Sequence, residues 1–305
     1  MDSPLIPHAS VSPSPLWRVV SLVRYRFFLY AGLLPYLLGA AWAYAIAGRF
    51  DAPVFWSGLF GVVLSVIGVE AFNEYFDARE GTDRVFNPAE LPPIPMAIFW
   101  IGTVAFASAL AMGIYLTMRG GWPILAFALL GGAAAIFYEA PPIRWSYRGL
   151  GELVIGLSYG PWMVLGSLYL HTGAISYDAL WASLVPGLLI MSLAVVNAIP
   201  DFHQDRLVGK RNLVVRLGRR NGVRLYVALA AAALVVVALG VAARIFPLGC
   251  AAALLATPLL VKSARHAAGT YERPREFIAA VRSVVACYVV AVTLFTGGVL
   301  AQAWT

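Results

Sequence analysis

Two short polar segments with similar spacing interrupt an otherwise apolar chain. The first begins Asn-Glu-Tyr-Phe-Asp at residues 73–77, and the second begins Asn-Ala-Ile-Pro-Asp at residues 197–201. Each follows a long apolar run and is followed by a further acid, Asp83 or Asp205. Ionisable groups at membrane segments are costly, so their presence indicates a functional site. Carboxylate and amide oxygens suit Mg²⁺, which commonly shares its site with substrate phosphates, so the pattern predicts a metal site for a phosphorylated substrate.

Residues four apart lie one turn from each other on a helix face, which brings the donors of each motif together. Gly81 is expected to end the first helix and leave Asp83 just beyond it. One motif for each of two Mg²⁺ ions fits the usual share of protein ligands. The alternative is that these acids pair with nearby arginines in a solvated loop. The predicted metal ligands are Asn73, Asp77, Asp83, Asp201 and Asp205.

Basic residues that could bind a diphosphate lie close to these acids in the sequence. Lys210 and Arg211 directly follow the second motif. Arginine is suited to bidentate contact with phosphate oxygens. Each of these residues has the alternative role of a basic anchor that flanks a membrane span. The further candidates are Arg24, Arg26 and Arg144.

The composition predicts an all-α, polytopic membrane protein. Of 305 residues, 61% are hydrophobic and only 12% are charged, with a mean hydropathy of +0.78. Such a chain has more apolar surface than a soluble domain needs. The net charge of +7 fits basic loops beside a membrane, and no basic patch with interleaved aromatics suggests nucleic acid. Cys250 and Cys287 lie in apolar runs and are expected to pack without forming a disulfide.

Apolar runs of about 20 residues predict nine transmembrane helices in one bundle. The whole chain, 1–305, is expected to form one domain, with 1–17 as a flexible, Pro- and Ser-rich N-terminal segment that is not a cleavable signal peptide. Of the 22 Lys and Arg residues, 19 fall in one alternate set of loops, which the positive-inside rule assigns to the cytoplasm. Both acidic motifs share that side, so we expect an active-site cavity in the inner membrane that faces the cytoplasm. The predicted spans are 27–48, 53–78, 95–118, 121–140, 150–170, 178–200, 222–243, 246–263 and 283–303.

At these motifs the chain resembles the intramembrane UbiA-type aromatic prenyltransferases. The first motif is similar to their Asn-x-x-x-Asp signature. The second, with Gly-Lys-Arg at 209–211 and Val-Arg-Leu-Gly at 215–218, is similar to their second aspartate motif. The stretch Tyr-Glu-Ala-Pro-Pro-Ile-Arg at 138–144, followed by Gly-Leu-Gly-Glu at 149–152, is similar to the middle of the family. The resemblance covers most of the chain and implies the family's nine helices.

The resemblance implies transfer of a prenyl group from a polyprenyl diphosphate to an aromatic acceptor. Two Mg²⁺ ions would hold the diphosphate, whose departure would leave an allylic, carbocation-like species for the acceptor to attack. The residues that it implies as catalytic are Asp77, Asp201, Asp205 and Lys210. The residues that it implies around the diphosphate are Arg24, Arg26, Tyr138, Arg144, Asn197, Lys210 and Arg211.

The sequence around 76–83 and 149–161 is most similar to the 1,4-dihydroxy-2-naphthoate branch, which serves menaquinone synthesis. Glu74, His203 and the stretch 84–95 depart from the family pattern and leave other acceptors open, such as 4-hydroxybenzoate or another quinone or lipid precursor. His203 is interpreted as a surface histidine, with proton removal from the acceptor as its alternative role. Terpene cyclisation on the same fold is a second alternative. An ion-coupled transporter is a third, although its acids would lie near the bilayer midplane.

Overall fold

The computed structural model describes residues 25–80 and 95–304, and these ranges contain helices and no strands. The all-α prediction is therefore confirmed for the described part of the chain. The predicted N-terminal segment 1–17, Arg24 and Asp83 lie outside it, as does the side chain of Arg26. In chain order the helices are α1 (Tyr25–Ala45), α2 (Ala52–Glu80), α3 (Met96–Gly120), α4 (Trp122–Ile136), α5 (Gly151–Thr172), α6 (Tyr177–Ala198), α7 (Phe202–Leu207), α8 (Leu213–Leu217), α9 (Arg219–Ala242), α10 (Thr257–Thr270) and α11 (Pro274–Ala301).

Seven helical segments of the described ranges are long and apolar enough to cross a membrane. They are α2, α3, α5, α6, α9, the segment Leu248–Thr270 and the segment Pro274–Trp304. Of the two remaining predicted spans, α1 has 21 residues and α4 has only 15. The predicted span 121–140 was too long, because a turn that contains Pro141 and Pro142 follows Ile136. Seven spans are therefore supported by length and composition, and nine remains a prediction.

Buried hydroxyl groups connect the helices of one half of the bundle, which contains α1, α5, α6 and α9–α11. Tyr288 of α11 donates to the carbonyl of Ala31 in α1 at 3.1 Å, and Ser263 of α10 donates to the carbonyl of Ala280 in α11 at 2.9 Å. Ser192 of α6 donates to the carbonyl of Tyr226 in α9 at 2.8 Å. Such bonds hold helices together where lipid supplies no hydrophobic driving force between them.

Small residues bring helix backbones into direct contact in the same half. A Cβ atom on Gly160 of α5 would lie 2.7 Å from the Cα of Gly187 in α6. At Gly160 the chain makes a wide, π-helical turn over Ser158–Trp162, with non-helical dihedral angles beside Pro161. Glycine is therefore required where α5 bends against α6.

Cys250 and Cys287 are both buried and free, as the sequence predicted. Cys250 lies in a 3₁₀ helix, Leu248–Ala256, which leads directly into α10. Its thiol contacts the carbonyl oxygen of Phe295 in α11 at 3.6 Å. The cysteines thus act as small packing residues.

The other half of the bundle is open. Helices α2, α3, α4 and α5 surround an apolar cavity of about 540 Å³. Its lining extends along α2 from Gly58 to Asn73, which at the rise of an α-helix is about 22 Å. Asn73 and Tyr138 lie at one end, and Tyr36 lies at the other beside Gly58. The fold therefore joins a polar end to a long apolar space.

A glycine pair in α11 offers a test of the backbone contacts. A Cβ on Gly298 would lie 2.4 Å from the backbone of Gly249 and Cys250, whereas a Cβ on Gly297 meets nothing within 4 Å. We expect Gly298→Ala to lower the free energy of unfolding by roughly 1–3 kcal/mol, because neither backbone segment can move aside without disturbing its neighbours. Thermal unfolding in detergent measures the effect. Gly297→Ala is the matched control, and equal melting temperatures for the two variants would contradict the prediction.

Candidate active site

A buried lysine lies between two acids at the polar end of the cavity. The Lys210 ammonium is 2.7 Å from Asp77 Oδ1 and 3.1 Å from Glu139 Oε1. The side chains of Lys210 and Glu139 are 9% and 5% exposed, and that of Asp77 is 31% exposed. The three residues come from α2, from the turn after α4 and from the loop between α7 and α8. This cluster, named here the Lys210 cluster, joins three segments that are distant in sequence.

Local backbone structure presents Lys210 to the cluster. The chain leaves α7 through Gly209, whose φ of +81° is easily adopted by glycine. The Lys210 amide then donates to the carbonyl of Asp205 at 2.8 Å. The Asn212 side chain accepts from the Val215 amide at the start of α8 and donates to Asp205 Oδ2 at 2.6 Å. The second acidic motif is thus closed into a compact loop around Lys210.

The segment between α4 and α5 presents Glu139. The Trp145 and Ser146 amides donate back to the carbonyls of Phe137 and Tyr138 at 2.9 and 3.1 Å. The Ser146 hydroxyl donates to Glu139 Oε2 at 2.9 Å, so each oxygen of this carboxylate has a partner. Glu139 is therefore held rigidly against Lys210.

Glu152 links the segment between α4 and α5 to the chain that follows the second acidic motif. This buried residue lies in the first turn of α5, and its Oε1 accepts from the Leu213 amide at the start of α8 at 2.8 Å. Arg216 adds a bond from its guanidinium to the carbonyl of Arg148 at 2.8 Å. The loops that carry Glu139 and Lys210 are thereby cross-linked to each other.

Burial and mutual charge shift the pKa values in the cluster. Burial raises the pKa of Glu139 to about 7, against the opposing effect of Lys210. Burial also raises the pKa of Asp205 to about 6; Lys210 opposes this shift, while the nearby charges of Asp201 and Asp77 add to it. Burial would lower the pKa of Lys210, but Glu139 and Asp77 together hold it above its usual value. The two acidic motifs therefore lie within electrostatic reach of one another, with Lys210 between them.

Asn73 lies one helical turn before Asp77 and lines the cavity. Its side-chain oxygen is buried and has no hydrogen-bond partner within the described ranges. A buried amide oxygen without a partner is costly, so this atom is suited to a ligand. Together with nearby carboxylates it forms a donor set of oxygens, the type that Mg²⁺ prefers. Across residues 25–80 and 95–304, no group of three acidic, His or Cys side chains is already arranged around a common ion position.

Arg144 and Tyr138, two further predicted site residues, lie near the Lys210 cluster. The Arg144 guanidinium lies over the Tyr147 ring at 3.7 Å, and the Lys210 ammonium is 5.7 Å from the same ring. Burial lowers the pKa of Arg144. Tyr138 lines the cavity, so both residues of the middle segment are near the site.

The second motif is not one continuous helix. The predicted span 178–200 ends at Ala198, so Asn197 belongs to α6, and a turn separates it from α7. Asp201 is exposed at the start of α7, whereas Asp205 points inward. Arg211 is exposed, and its carbonyl accepts from Arg216 at 2.7 Å.

His203 is exposed and contacts the edge of the Phe202 ring, 5.2 Å between centroids. This position agrees with the interpretation of a surface histidine.

Sequence reasoning missed Glu139, Glu152 and Asn212 as site residues. Glu139 and Glu152 were within the stretch that resembled the family, but only Tyr138 and Arg144 were selected from it. The same criterion that selected Asp77, an acid at the end of an apolar run, would have selected Glu139. Asn212 had only the weaker signal of a polar residue before a short apolar run, which is typical of a helix cap.

Comparison with known proteins identifies the family of this chain. The family model described as the UbiA prenyltransferase family matches residues 32–285. A 2-carboxy-1,4-naphthoquinone phytyltransferase from Synechocystis sp. is 26% identical over 99% of this chain and 96% of its own length. A 1,4-dihydroxy-2-naphthoate octaprenyltransferase from Mycobacterium leprae is 30% identical over 77% of this chain and 83% of its own.

The fold is also similar to that of a solved protein. The structure of a UbiA homolog from Archaeoglobus fulgidus bound to DMAPP and Mg²⁺ has a TM-score of 0.55 and 14% identity, over 91% of this chain and 98% of that one. The resemblance inferred from the motifs is thus confirmed, including its similarity to the naphthoate branch. The chain belongs to the UbiA prenyltransferase family and is an integral membrane prenyltransferase.

Proposed function

We propose that this enzyme transfers a polyprenyl group from its diphosphate to 1,4-dihydroxy-2-naphthoate, a step of menaquinone biosynthesis. The observation that carries the proposal is the convergence of both acidic motifs on Lys210 at the polar end of a long apolar cavity. A diphosphate needs cations, and a polyprenyl tail needs an apolar space. The names of the naphthoate-acting relatives support the choice of acceptor.

Two Mg²⁺ ions, one for each acidic motif, would help to hold the diphosphate. Asn73 and Asp77 would hold the first and Asp201 and Asp205 the second, with Asp83 as a further ligand. The unpartnered oxygen of Asn73 supports this assignment, as does the accumulation of carboxylates around a single lysine. When bound, the metal supplies positive charge that stabilises the departing diphosphate.

Lys210 acts as the protein's own cation for the diphosphate. Without substrate it forms ion pairs with Asp77 and Glu139. On substrate binding, Lys210 exchanges Asp77 for a diphosphate oxygen while Glu139 keeps the ammonium in place. Arg144 approaches the same region across the Tyr147 ring. Arg24, Arg26, Arg211, Tyr138 and Asn197 are further proposed contacts of the diphosphate.

The apolar cavity holds the tail and protects the reacting carbon. Its lining beyond Asn73 is mainly aliphatic, aromatic and glycine residues of α2–α5. Scarcity of water limits quenching of the electron-poor allylic carbon before the acceptor attacks. The ring of Tyr159 lines this space and can shield positive charge with its face.

The inner membrane, with the active site on the cytoplasmic side, is the proposed location, because 19 of the 22 basic residues fall in the same alternate set of loops and helix ends as both acidic motifs. The two acids of the Lys210 cluster come from α2 and from the turn after α4, and Lys210 comes from the loop after α7, all close to helix ends. That placement disfavours an ion-coupled transporter, whose sites lie near the midplane.

The direct test is an assay of purified enzyme with Mg²⁺, labelled polyprenyl diphosphate and each candidate acceptor. We expect prenylated dihydroxynaphthoate as product. We also expect Asp77→Asn and Asp201→Asn to lower kcat/KM on the order of 100-fold or more, because each variant would weaken the hold on the Mg²⁺ whose positive charge offsets that of the leaving diphosphate. Chelation of Mg²⁺ is expected to abolish turnover of the parent enzyme.

Asp178→Asn is the control, since this exposed acid lies in the first turn of α6, away from the Lys210 cluster. Full activity of both aspartate variants would contradict the proposed site. If only hydroxybenzoate is prenylated, the acceptor is hydroxybenzoate and not dihydroxynaphthoate. If diphosphate is released without an acceptor and the product is a cyclic hydrocarbon, the enzyme is a terpene cyclase.

The Lys210 cluster also makes a prediction about stability. Lys210→Met leaves the buried carboxylate of Glu139 without its counter-charge, and we expect a loss of roughly 1–3 kcal/mol in unfolding free energy. The loss is limited because Glu139, with its raised pKa, can take up a proton. Unfolding in mixed detergents measures it. Adding Glu139→Gln to Lys210→Met is expected to recover much of the loss, and strictly additive effects would show that the pair is not coupled.

The cavity leads to a prediction about prenyl diphosphates of different tail length. A Cβ on Gly132 meets nothing within 4 Å, and Gly132 lines the cavity about 9 Å along the helix from the polar end. We expect Gly132→Leu to lower kcat/KM for long prenyl diphosphates by about tenfold or more, with a smaller effect on dimethylallyl diphosphate. Competition assays between the two substrates measure this ratio. Gly297→Leu, exposed on α11, is the control, and an unchanged ratio for Gly132→Leu would contradict tail binding in this cavity.

A further inference from the structure

A basic groove lies between α10 and α11, away from the Lys210 cluster. It has a volume of about 690 Å³, and its lining includes Thr257, Lys262, Arg265, His266, Ala279 and Ser283. Lys262, Arg265 and His266 follow one another at helical spacing and are exposed on the same face of α10. Neither Lys262 nor Arg265 forms an ion pair with any residue in the described part of the chain. Charges of one sign, concentrated and unpaired, favour an anionic ligand.

Two contacts between α10 and α11 fix the position of this groove along the bundle. Ser263 donates to the carbonyl of Ala280, and the His266 ring contacts the carbonyl of Glu276 at 2.9 Å. The end of α10 lies at the polar end of the bundle, since Arg219 at the start of α9 contacts the carbonyl of Glu272 beyond it. Lys262 and Arg265 therefore lie opposite the first turns of α11.

Helix lengths place this level at the edge of the hydrocarbon layer. Helix α11 has 28 residues, or about 42 Å, against a hydrocarbon core of about 30 Å. Its last charged residue is Arg282, so the excess of about 12 Å projects at the polar end, and the boundary lies near Arg282.

The segment that precedes α11 indicates the same position for the edge of the hydrocarbon layer. Leu248–Ala256 as a 3₁₀ helix and α10 together measure about 39 Å. The residues 248–261 carry no charge, so the boundary lies close to Lys262 and Arg265. Two helices thus place the basic groove at the level of lipid headgroups.

From this position we infer that the groove binds the phosphate headgroup of an anionic phospholipid. Lys262 and Arg265 contact the phosphodiester, which basic pockets between membrane helices are suited to bind. The Thr257 and Ser283 hydroxyls donate to the carbonyls of Leu254 and Ala279, so the contacts with the headgroup come from Lys262 and Arg265. Val261 also lines the groove and is 40% exposed, so the acyl chains can continue along an apolar surface. A free phosphate ion would not use that apolar surface.

Native mass spectrometry of the purified protein tests this inference. The protein is equilibrated with phosphatidylglycerol or phosphatidylcholine in detergent, and retained lipids are counted. We expect preferential retention of phosphatidylglycerol by the parent, and weakening of its binding by roughly thirtyfold in Lys262→Gln/Arg265→Gln, from the loss of two headgroup cations. Inorganic phosphate at millimolar concentration is not expected to displace the lipid.

The matched control is Arg220→Gln/Arg224→Gln, which removes two exposed cations from the polar end of α9. It is expected to keep the lipid preference. Ala279→Leu fills the groove without a change of charge and is expected to lose the lipid, which separates binding from any folding defect of the glutamine variant. Retention of phosphatidylglycerol by both groove variants, or its displacement by inorganic phosphate, would overturn the inference.

Discussion

The contact of Lys210 with Asp77 and Glu139 is the interaction on which the site depends. Lys210 and Glu139 are buried and Asp77 is partly buried, and an uncompensated charge at such a position would be destabilising. The opposite charges offset one another only while the three segments that carry them stay in place. The hydrogen bonds of Ser146 to Glu139 and of Glu152 to the Leu213 amide supply that support. The positions of Lys210 and Glu139 are thus fixed by contacts within the described segments.

Packing divides the bundle into a rigid half and an open half. Hydroxyl-to-carbonyl bonds such as Tyr288 to Ala31, and glycine contacts such as Gly298 with Gly249, hold α1, α5, α6 and α9–α11 closely together. Helices α2–α4 instead surround the cavity with one wall of α5. Because α5 belongs to both halves, the open cavity is built against a rigid support. In the proposed function this cavity holds the apolar tail, apart from the polar end.

Much of the fold could be predicted from local patterns. Apolar runs indicated helices at all nine places, because a membrane span must be long and apolar along its whole length. Their ends were less predictable: α4 stops at Ile136, and α6 stops at Ala198. Turns that contain prolines decide those ends, and an apolar run does not reveal them. The site was predicted through Asp77, Asp205 and Lys210, but Glu139 was missed because its importance comes from a neighbour far away in the sequence.

The sequence by itself determined the family, the all-helical membrane class and the spacing of the acidic motifs. These are local properties, because residues four apart on a helix lie about one turn from each other and an apolar run of about 20 residues is long enough to span a membrane. Only the tertiary structure decided that Lys210 contacts Asp77, 133 residues away, and Glu139, 71 residues away. It also decided that Lys262 and Arg265 line a groove between α10 and α11. Such contacts depend on how whole helices pack, and no short window of sequence contains that information.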